Sequence, residues 1–350
     1  MSPLNKLVRQ NILDLKPYQS ARDEYTGKTG VFLDANENPY GDWNRYPDPY
    51  QRELKALFAA YRGLRAEQLF IGNGSDEVID LLFRIFCEPS KDKALAFTPS
   101  YGMYAVSAAI NGVELIQVPM SDSFEIMPET IQQYSTDLNL KLMFVCSPNN
   151  PTGNCVSAEI LEKLLNSFGG ILVVDEAYID FCPEQTCVAL IEKYPNLIIT
   201  QTMSKAWGLA SVRVGIGIAN EQLINLLNKV KPPYNVSGPN QEQAILRLKN
   251  KAVFESRLKQ IIEDRDKLAK DLKALDLVLD VYPSKANFLL VKFENAQNIY
   301  ESLIQEKVVV RNRNSLVKGC IRISVGTGNE NNKLIAALIK IEHEEGIIYR

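Results

Sequence analysis

Histidine is nearly missing from this 350-residue chain: the single one, His343, sits in a charged stretch, IEHEEG, close to the C-terminus. A lone histidine argues against catalytic triads built on one, and His343 itself reads as a solvated helix residue. Cysteine is sparse, at six residues (Cys87, Cys146, Cys155, Cys182, Cys187 and Cys320) without a CxxC pair, so no metal site is expected and the thiols read as ordinary and reduced. No apolar run approaches the ~20 residues that span a bilayer, and the start, MSPLNKLVRQNILDL, has no long apolar core followed by small residues. The expectation is a cytoplasmic chain with no membrane contact. Charge of one sign is not in excess either: 39 Lys and Arg against 42 Asp and Glu leave a net charge of -3, which removes the electrostatic footprint of a nucleic-acid binder. No P-loop is present, and the dinucleotide turn G-x-G-x-x-G lacks its third glycine, where Glu77 stands; a nicotinamide-dependent dehydrogenase is thereby disfavoured. A small-molecule ligand is the default.

What is present is apolar and periodic. At 46% hydrophobic content the chain can bury a sizeable core. From Leu69 to Ile218, runs of strand length (LFIG, ALAFTP, VELIQV, KLMFVCSP, GGILVVDEAY, NLIITQTMSK, RVGIGIA) alternate with helical segments. Continuous rather than alternating hydrophobicity marks strands buried on both faces. The expected fold class is therefore α/β: a large domain with a mostly parallel sheet covered by helices, plus a smaller α+β domain. A long amphipathic helix from Val253 leads into the second unit, where NFLLVKF, a helix at about 296–306, VVVRNR, CIRISVG and a final helix from about Glu330 follow. The predicted division is an N-terminal arm at 1–30, a large domain at 31–240 and a small domain at 241–350, with KPPYN (231–235) as the linker signal.

In open parallel sheets, ligands bind beyond the carboxyl ends of the strands. Three successive strand ends carry Ser147-Pro148-Asn149-Asn150-Pro151-Thr152-Gly153, then Asp175-Glu176-Ala177-Tyr178, then Thr202-Met203-Ser204-Lys205. A carboxylate at the mouth of a buried strand needs a cation or hydrogen bonds, and a pyridinium nitrogen would serve Asp175. The alternative is that Asp175 caps a helix and Glu176 is solvated. Lys205 in the ordinary way would be a surface lysine, but an amine of lowered pKa is a nucleophile toward carbonyl groups. Arg213 and the hydroxyls of Thr202 and Ser204 could bind an anionic group beside it; a purely structural Arg213 is the alternative. In LFIGNGSDEVIDLLFRIF, Gly72 and Gly74 allow a tight turn into a helix with apolar Ile79, Leu82, Phe83 and Phe86. The free N–H groups of Gly74, Ser75 and Asp76 could cradle phosphate.

SPNNPTG, DEAY and TMSKAWGLASVRVG together, in this order and spacing, resemble the fold type I, pyridoxal-phosphate-dependent aminotransferases of the class I/II branch. With the GNGSDE turn and the Arg322 strand, the resemblance covers about residues 30–330. LDANENPYG, RYPDP, the N-terminal KPY, VVVRNR and IRISVGTG are similar to the histidinol-phosphate aminotransferases. The resemblance implies an aspartate-aminotransferase-like fold and pyridoxal 5'-phosphate as cofactor, carried by Lys205 as a Schiff base. It implies that Asp175 pairs with the pyridine nitrogen, that Asn150 and Tyr178 hydrogen-bond the ring 3' oxygen, and that Tyr101 stacks on the ring. The cofactor phosphate falls to Gly74, Ser75, Asp76, Thr202, Ser204 and Arg213. Tyr46 would reach the neighbouring subunit's site, which implies a homodimer. Arg322, Arg311 and Tyr18 are implied as substrate-binding. Trp207 and Ser211 depart from the residues frequent in the family, and the loop between Arg311 and Arg322 is short. The implied reaction is amino transfer between L-histidinol phosphate and 2-oxoglutarate, in histidine biosynthesis. The rivals are an aromatic or broad-specificity aminotransferase or a threonine-phosphate decarboxylase on the same scaffold, and, more remotely, a non-catalytic pyridoxal-phosphate-binding regulator.

Overall fold

Each of the seven apolar runs becomes a strand. They are β1 (Leu69–Asn73), β2 (Lys93–Thr98), β3 (Glu114–Pro119), β4 (Leu140–Cys146), β5 (Ile171–Asp175), β6 (Leu197–Thr202) and β7 (Val214–Ala219). The structure, a computed structural model, describes residues 3–18, 30–134 and 136–344. The strands join in one sheet of order β1-β7-β6-β5-β4-β2-β3. The pairs from β3 across to β6 are parallel, whereas β7 runs antiparallel to both β6 and β1. The reversal follows from the β6–β7 connection, residues 203–213, which makes turns and a short 3-10 turn at Ala210–Val212 but no helix. A parallel return requires a longer crossover.

Side chains of a strand alternate between faces, and here both faces are covered. Leu172 and Val174 of β5 join Met143, Val145, Leu197 and Ile199 in one cluster, while Ile171 and Val173 join Leu142, Phe144 and Ile198 in the other. Full burial of each such side chain is worth roughly 1.5–3 kcal/mol. Helices α1 (Gln10–Asp14), α2 (Arg52–Arg62), α3 (Ser75–Phe86), α4 (Met103–Ile110), α5 (Ala158–Ser167), α6 (Glu221–Val230) and α7 (Gly238–Lys249) accompany the sheet. α2 and α5 cover the first face through Leu54, Phe58, Leu161 and Leu164. The other face receives Ile79, Leu82, Phe83 and Phe86 of α3, Leu223 and Leu227 of α6, and Leu4, Val8 and Ile12 from the N-terminal segment. The expected arm is thus packed down over its first part, while most of its remainder, 19–29, lies outside the described residues.

α8 (Lys251–Lys273) is about 34 Å long by its rise per residue. Its first half, with Phe254, Leu258 and Ile261, packs on the first cluster; Leu268 and Leu272 belong to a third. That third cluster underlies the small antiparallel sheet β10-β11-β9-β8. Its parts are β8 (Val278–Val281), β9 (Phe288–Phe293), β10 (Arg311–Asn312) and β11 (Cys320–Ser324), with helices α9 (Ala296–Gln305) and α10 (Gly328–Glu344). VVVRNR contributes only two strand residues, and β8, half exposed and four residues long, was not anticipated from the pattern. KPPYN is not a free linker: Asn235 Nδ2 donates to the Ile71 carbonyl and to Glu77 Oε2, both at 2.9 Å. Among the described residues no helix is long and apolar enough to cross a membrane.

Candidate active site

The carboxyl ends of β4, β5 and β6, the start of α3 and the β10–β11 ribbon surround a cavity of about 350 Å3. Of the expected site residues, Ser75, Asp76, Tyr101, Asn150, Asp175, Tyr178, Thr202, Ser204, Lys205, Arg213, Arg311 and Arg322 all line it. Gly74 adjoins them as the N-cap of α3, at φ 83°.

The α3 end of the cavity is built for close approach. A Cβ on Gly74 would lie 2.4 Å from Arg213 Nη2, and one on Gly215 of β7 would lie 2.1 Å from the Ser75 backbone nitrogen. Two glycines therefore let β7 and the Arg213 guanidinium press against the helix start. Arg213 itself sits in the left-handed region at φ 54°, uncommon for a side-chain-bearing residue, and its Nη2 is 3.4 Å from Asp76 Oδ2. The helix N-terminus, the Thr202 and Ser204 hydroxyls (3.0 Å apart) and this guanidinium form an anion cradle. Glu77, which occupies the place of the missing third glycine, accepts from the Asn73 N–H and from Asn235, locking the turn from the opposite side.

Asp175 is buried, with 2% exposure. Desolvation pushes its carboxyl up, opposed by the Tyr104 hydroxyl donating to Oδ2 (2.9 Å) and the Ala177 N–H donating to Oδ1 (3.1 Å). Among the described residues no cation forms a salt bridge with it. Glu176, by contrast, points into the fold rather than into solvent. It is buried and accepts from Thr186, from the Cys187 N–H and from Gln201, which makes it the anchor of the 182–187 loop.

Lys205 opens to the cavity, with Nζ 5.6 Å from the centre of the Tyr178 ring. The surrounding protein lowers its pKa, and the Arg322 cation lowers it further. Burial raises that of the Tyr178 hydroxyl. The Tyr178 ring meets Phe288 edge-on at 5.1 Å, and Arg322 lies over Phe288 at 5.3 Å. Arg322 also donates through Nη1 to Asn150 Oδ1, joining the two sheets across the cavity. Arg311 and Arg322 face each other in the β10–β11 register.

Arg313, Tyr104 and Cys146 also belong to the site, although no expectation from the sequence included them. Arg313 lines the cavity beside Arg311 and Arg322, and burial and those two neighbours lower its pKa to about 10. Its signal was legible, since positions 311 and 313 share a face in an extended segment. The Nε atoms of Arg313 and Arg322 are buried without a partner among the described residues. Three converging guanidiniums call for an anionic ligand. Tyr104 is brought to Asp175 by α4 packing, which no local pattern encodes. Two expected residues lie elsewhere: Tyr18 is 71% exposed and borders a different cavity with Tyr50 and Lys55, and Tyr46 stacks on Tyr234 at 4.3 Å. Neither lines the lysine cavity of its own chain. Among the described residues no group of three or more His, Cys, Asp or Glu could hold a metal.

A family model described as aminotransferase class I and II matches residues 24–338. A histidinol-phosphate aminotransferase of Cytophaga hutchinsonii is 46% identical over 342 residues, 96% of this chain and 98% of the relative. One from Bacteroides thetaiotaomicron is 47% identical over 346 residues, 98% and 100%. Among solved structures, the histidinol-phosphate aminotransferase of Clostridium acetobutylicum superposes with a TM-score of 0.79 at 26% identity, covering 86% of this chain and 92% of that one. That of Sinorhizobium meliloti, in complex with pyridoxal-5'-phosphate, gives 0.78 at 25%, covering 87% and 85%. With the lysine, the buried carboxylate and the anion cradle assembled at the strand ends, and a family match over most of its length, this chain belongs to the class I and II aminotransferases.

Proposed function

We propose that this cavity holds pyridoxal 5'-phosphate and that the chain transfers the amino group of L-histidinol phosphate to 2-oxoglutarate, giving imidazole acetol phosphate and L-glutamate in histidine biosynthesis. The observation that carries the reading is one cavity with an amine, a buried carboxylate that forms no salt bridge among the described residues, an anion cradle at one end and three arginines opposite. The near-full-length relatives bearing that name support the substrate. The biosynthetic relatives support a role in the cytoplasm.

When bound, the cofactor supplies an electron sink for the substrate's Cα. Lys205 Nζ anchors it and takes and returns the Cα proton; the lowered pKa leaves more of the amine neutral near physiological pH. Asp175 would hold a protonated ring nitrogen, and the Tyr104 and Ala177 donors favour its charged form against the effect of burial. Asn150 and Tyr178 bind the ring oxygen, and Tyr101 covers the ring. The α3 N-terminus, Thr202, Ser204 and Arg213 bind the cofactor phosphate. Arg322 and Arg311 bind the anionic ends of the substrates. One arginine cluster can receive a phosphate from one substrate and a carboxylate from the other, because both present paired oxygens to the guanidinium fork. Tyr46 reaches the site of a second copy, so the working unit is a homodimer.

The test is a panel of histidinol phosphate, phenylalanine and threonine phosphate, each with 2-oxoglutarate. Histidinol phosphate is expected to have the highest kcat/KM, and a preference for phenylalanine would overturn the substrate. Lys205→Ala should abolish turnover, and normal transamination by that variant would overturn the cofactor assignment.

A further inference from the structure

Cys155 and Cys182 lie 27 positions apart, yet their sulfurs are in contact, Sγ to Sγ 3.7 Å. Each closes a loop that carries a cavity residue. Cys155 ends the β4 loop, five positions after Asn150, and Cys182 follows the β5 strand end, four positions after Tyr178. The β4 loop is stiff: the Asn149 N–H donates to the Asn154 carbonyl (2.8 Å), the Gly153 N–H to the Asn149 carbonyl (2.7 Å), and Asn149 Nδ2 to Thr152 Oγ1 (2.7 Å). Beyond it the Lys285 N–H donates to the Gly153 carbonyl at 2.8 Å, so the small sheet is docked on the same loop. The 182–187 loop is held in turn by Glu176.

We propose that this pair is a redox-responsive modification site: a hydroperoxide-class oxidant converts Cys155 and Cys182 to a disulfide that ties the Asn150 loop to the Tyr178 loop and slows turnover. The two thiols are unequal in a way that suits this chemistry. Cys155 is the more exposed, and the Cys182 thiol together with the Lys285 cation lowers its pKa, whereas that of Cys182 is raised. The thiolate is the reactive form. With hydrogen peroxide, the Cys155 sulfur attacks one oxygen; an S–O bond forms, the O–O bond breaks, and hydroxide leaves to become water. The Cys182 thiol then gives up its proton and attacks the sulfenic sulfur, an S–S bond forms, the S–O bond breaks, and a second water leaves. Two thiols are oxidised by two electrons and one peroxide is reduced to two waters.

The other four cysteines are buried, and no other pair of thiols is in contact among the described residues. Burial raises the pKa of Cys87, Cys146 and Cys187, and that of Cys320 to about 11, so they stay protonated. Bond formation draws the sulfurs from 3.7 Å to about 2.05 Å. Because both loops are internally hydrogen-bonded, part of that closure passes to Asn150 and Tyr178.

Holoenzyme is treated with hydrogen peroxide and quenched with catalase, its thiols are counted after denaturation, and its peptides are mapped without reduction. The expected result is loss of two of the six thiols, a linked peptide pair containing Cys155 and Cys182, and a several-fold fall in turnover reversed by dithiothreitol. Cys155→Ser and Cys182→Ser proteins should start with ordinary activity, form no link and keep their turnover at the same dose. Absence of the linked pair, a link without loss of turnover, or equal sensitivity of both serine variants would overturn the proposal. The thiol readouts are independent of the transamination reading on which the turnover readout rests, so failure of one is distinguishable from failure of the other.

Discussion

Asp175 shows how a single residue is held against its own preference. A carboxyl buried this fully favours its neutral form, and hydrogen bonds from the Tyr104 hydroxyl and the Ala177 N–H oppose that. Its pKa is raised on folding, so the folded chain binds the proton more tightly than the unfolded one. The resulting contribution to stability is complete below the unfolded value of about 3.9 and is lost as pH rises through the folded value. Cofactor-free Asp175→Asn should therefore be more stable than cofactor-free wild type at neutral pH, with the difference closing toward the acid side; thermal unfolding across pH measures it. The same variant should lose turnover by about 10²–10³-fold, the usual loss on removing one charge-stabilising group. Equal unfolding temperatures at neutral pH would mean that the carboxylate is better solvated than its burial indicates.

At the scale of elements, the cradle depends on β7 lying against the start of α3. Gly215 is the point of contact, where a Cβ would meet the Ser75 nitrogen at 2.1 Å. Gly215→Ala should cost about 1–3 kcal/mol through forced displacement and should weaken cofactor retention, because Ser75 and Arg213 move apart. Gly169→Ala, with nothing within 4 Å of the added carbon, is the control and should change stability by less than about 0.5 kcal/mol. Thermal shift and cofactor titration of the two proteins decide it. The helix start and its apolar face at Ile79, Leu82, Phe83 and Phe86 were readable from spacing alone, because a helix is a local object. The reversed direction of β7 was not, because an apolar run carries no sign of its direction.

At the scale of the whole molecule, the candidate site is assembled from both sheets and, in the proposed dimer, from two chains. The boundary expected at 240/241 is better placed, we propose, inside α8 near Arg265, whose Nη1 donates to the Ala286 carbonyl where the two clusters meet. If Tyr46 serves the neighbour's site, Lys205→Ala and Tyr46→Ala subunits mixed into hybrid dimers should regain part of the activity that neither variant has in full. Hybrids no more active than the average of the parents would remove Tyr46 from the site. The sequence by itself determined the seven strands of the large sheet, the long helix and the strand-end residues Asn150, Asp175, Tyr178 and Lys205, because these rest on local periodicity and on motifs in fixed order. Only the tertiary structure decided that Tyr104 supports Asp175, that Arg313 joins Arg311 and Arg322, that Glu176 faces inward, and that Cys155 touches Cys182. Each of these is a contact between distant segments, and it is packing against the sheet, rather than neighbourhood in the chain, that brings such groups within reach.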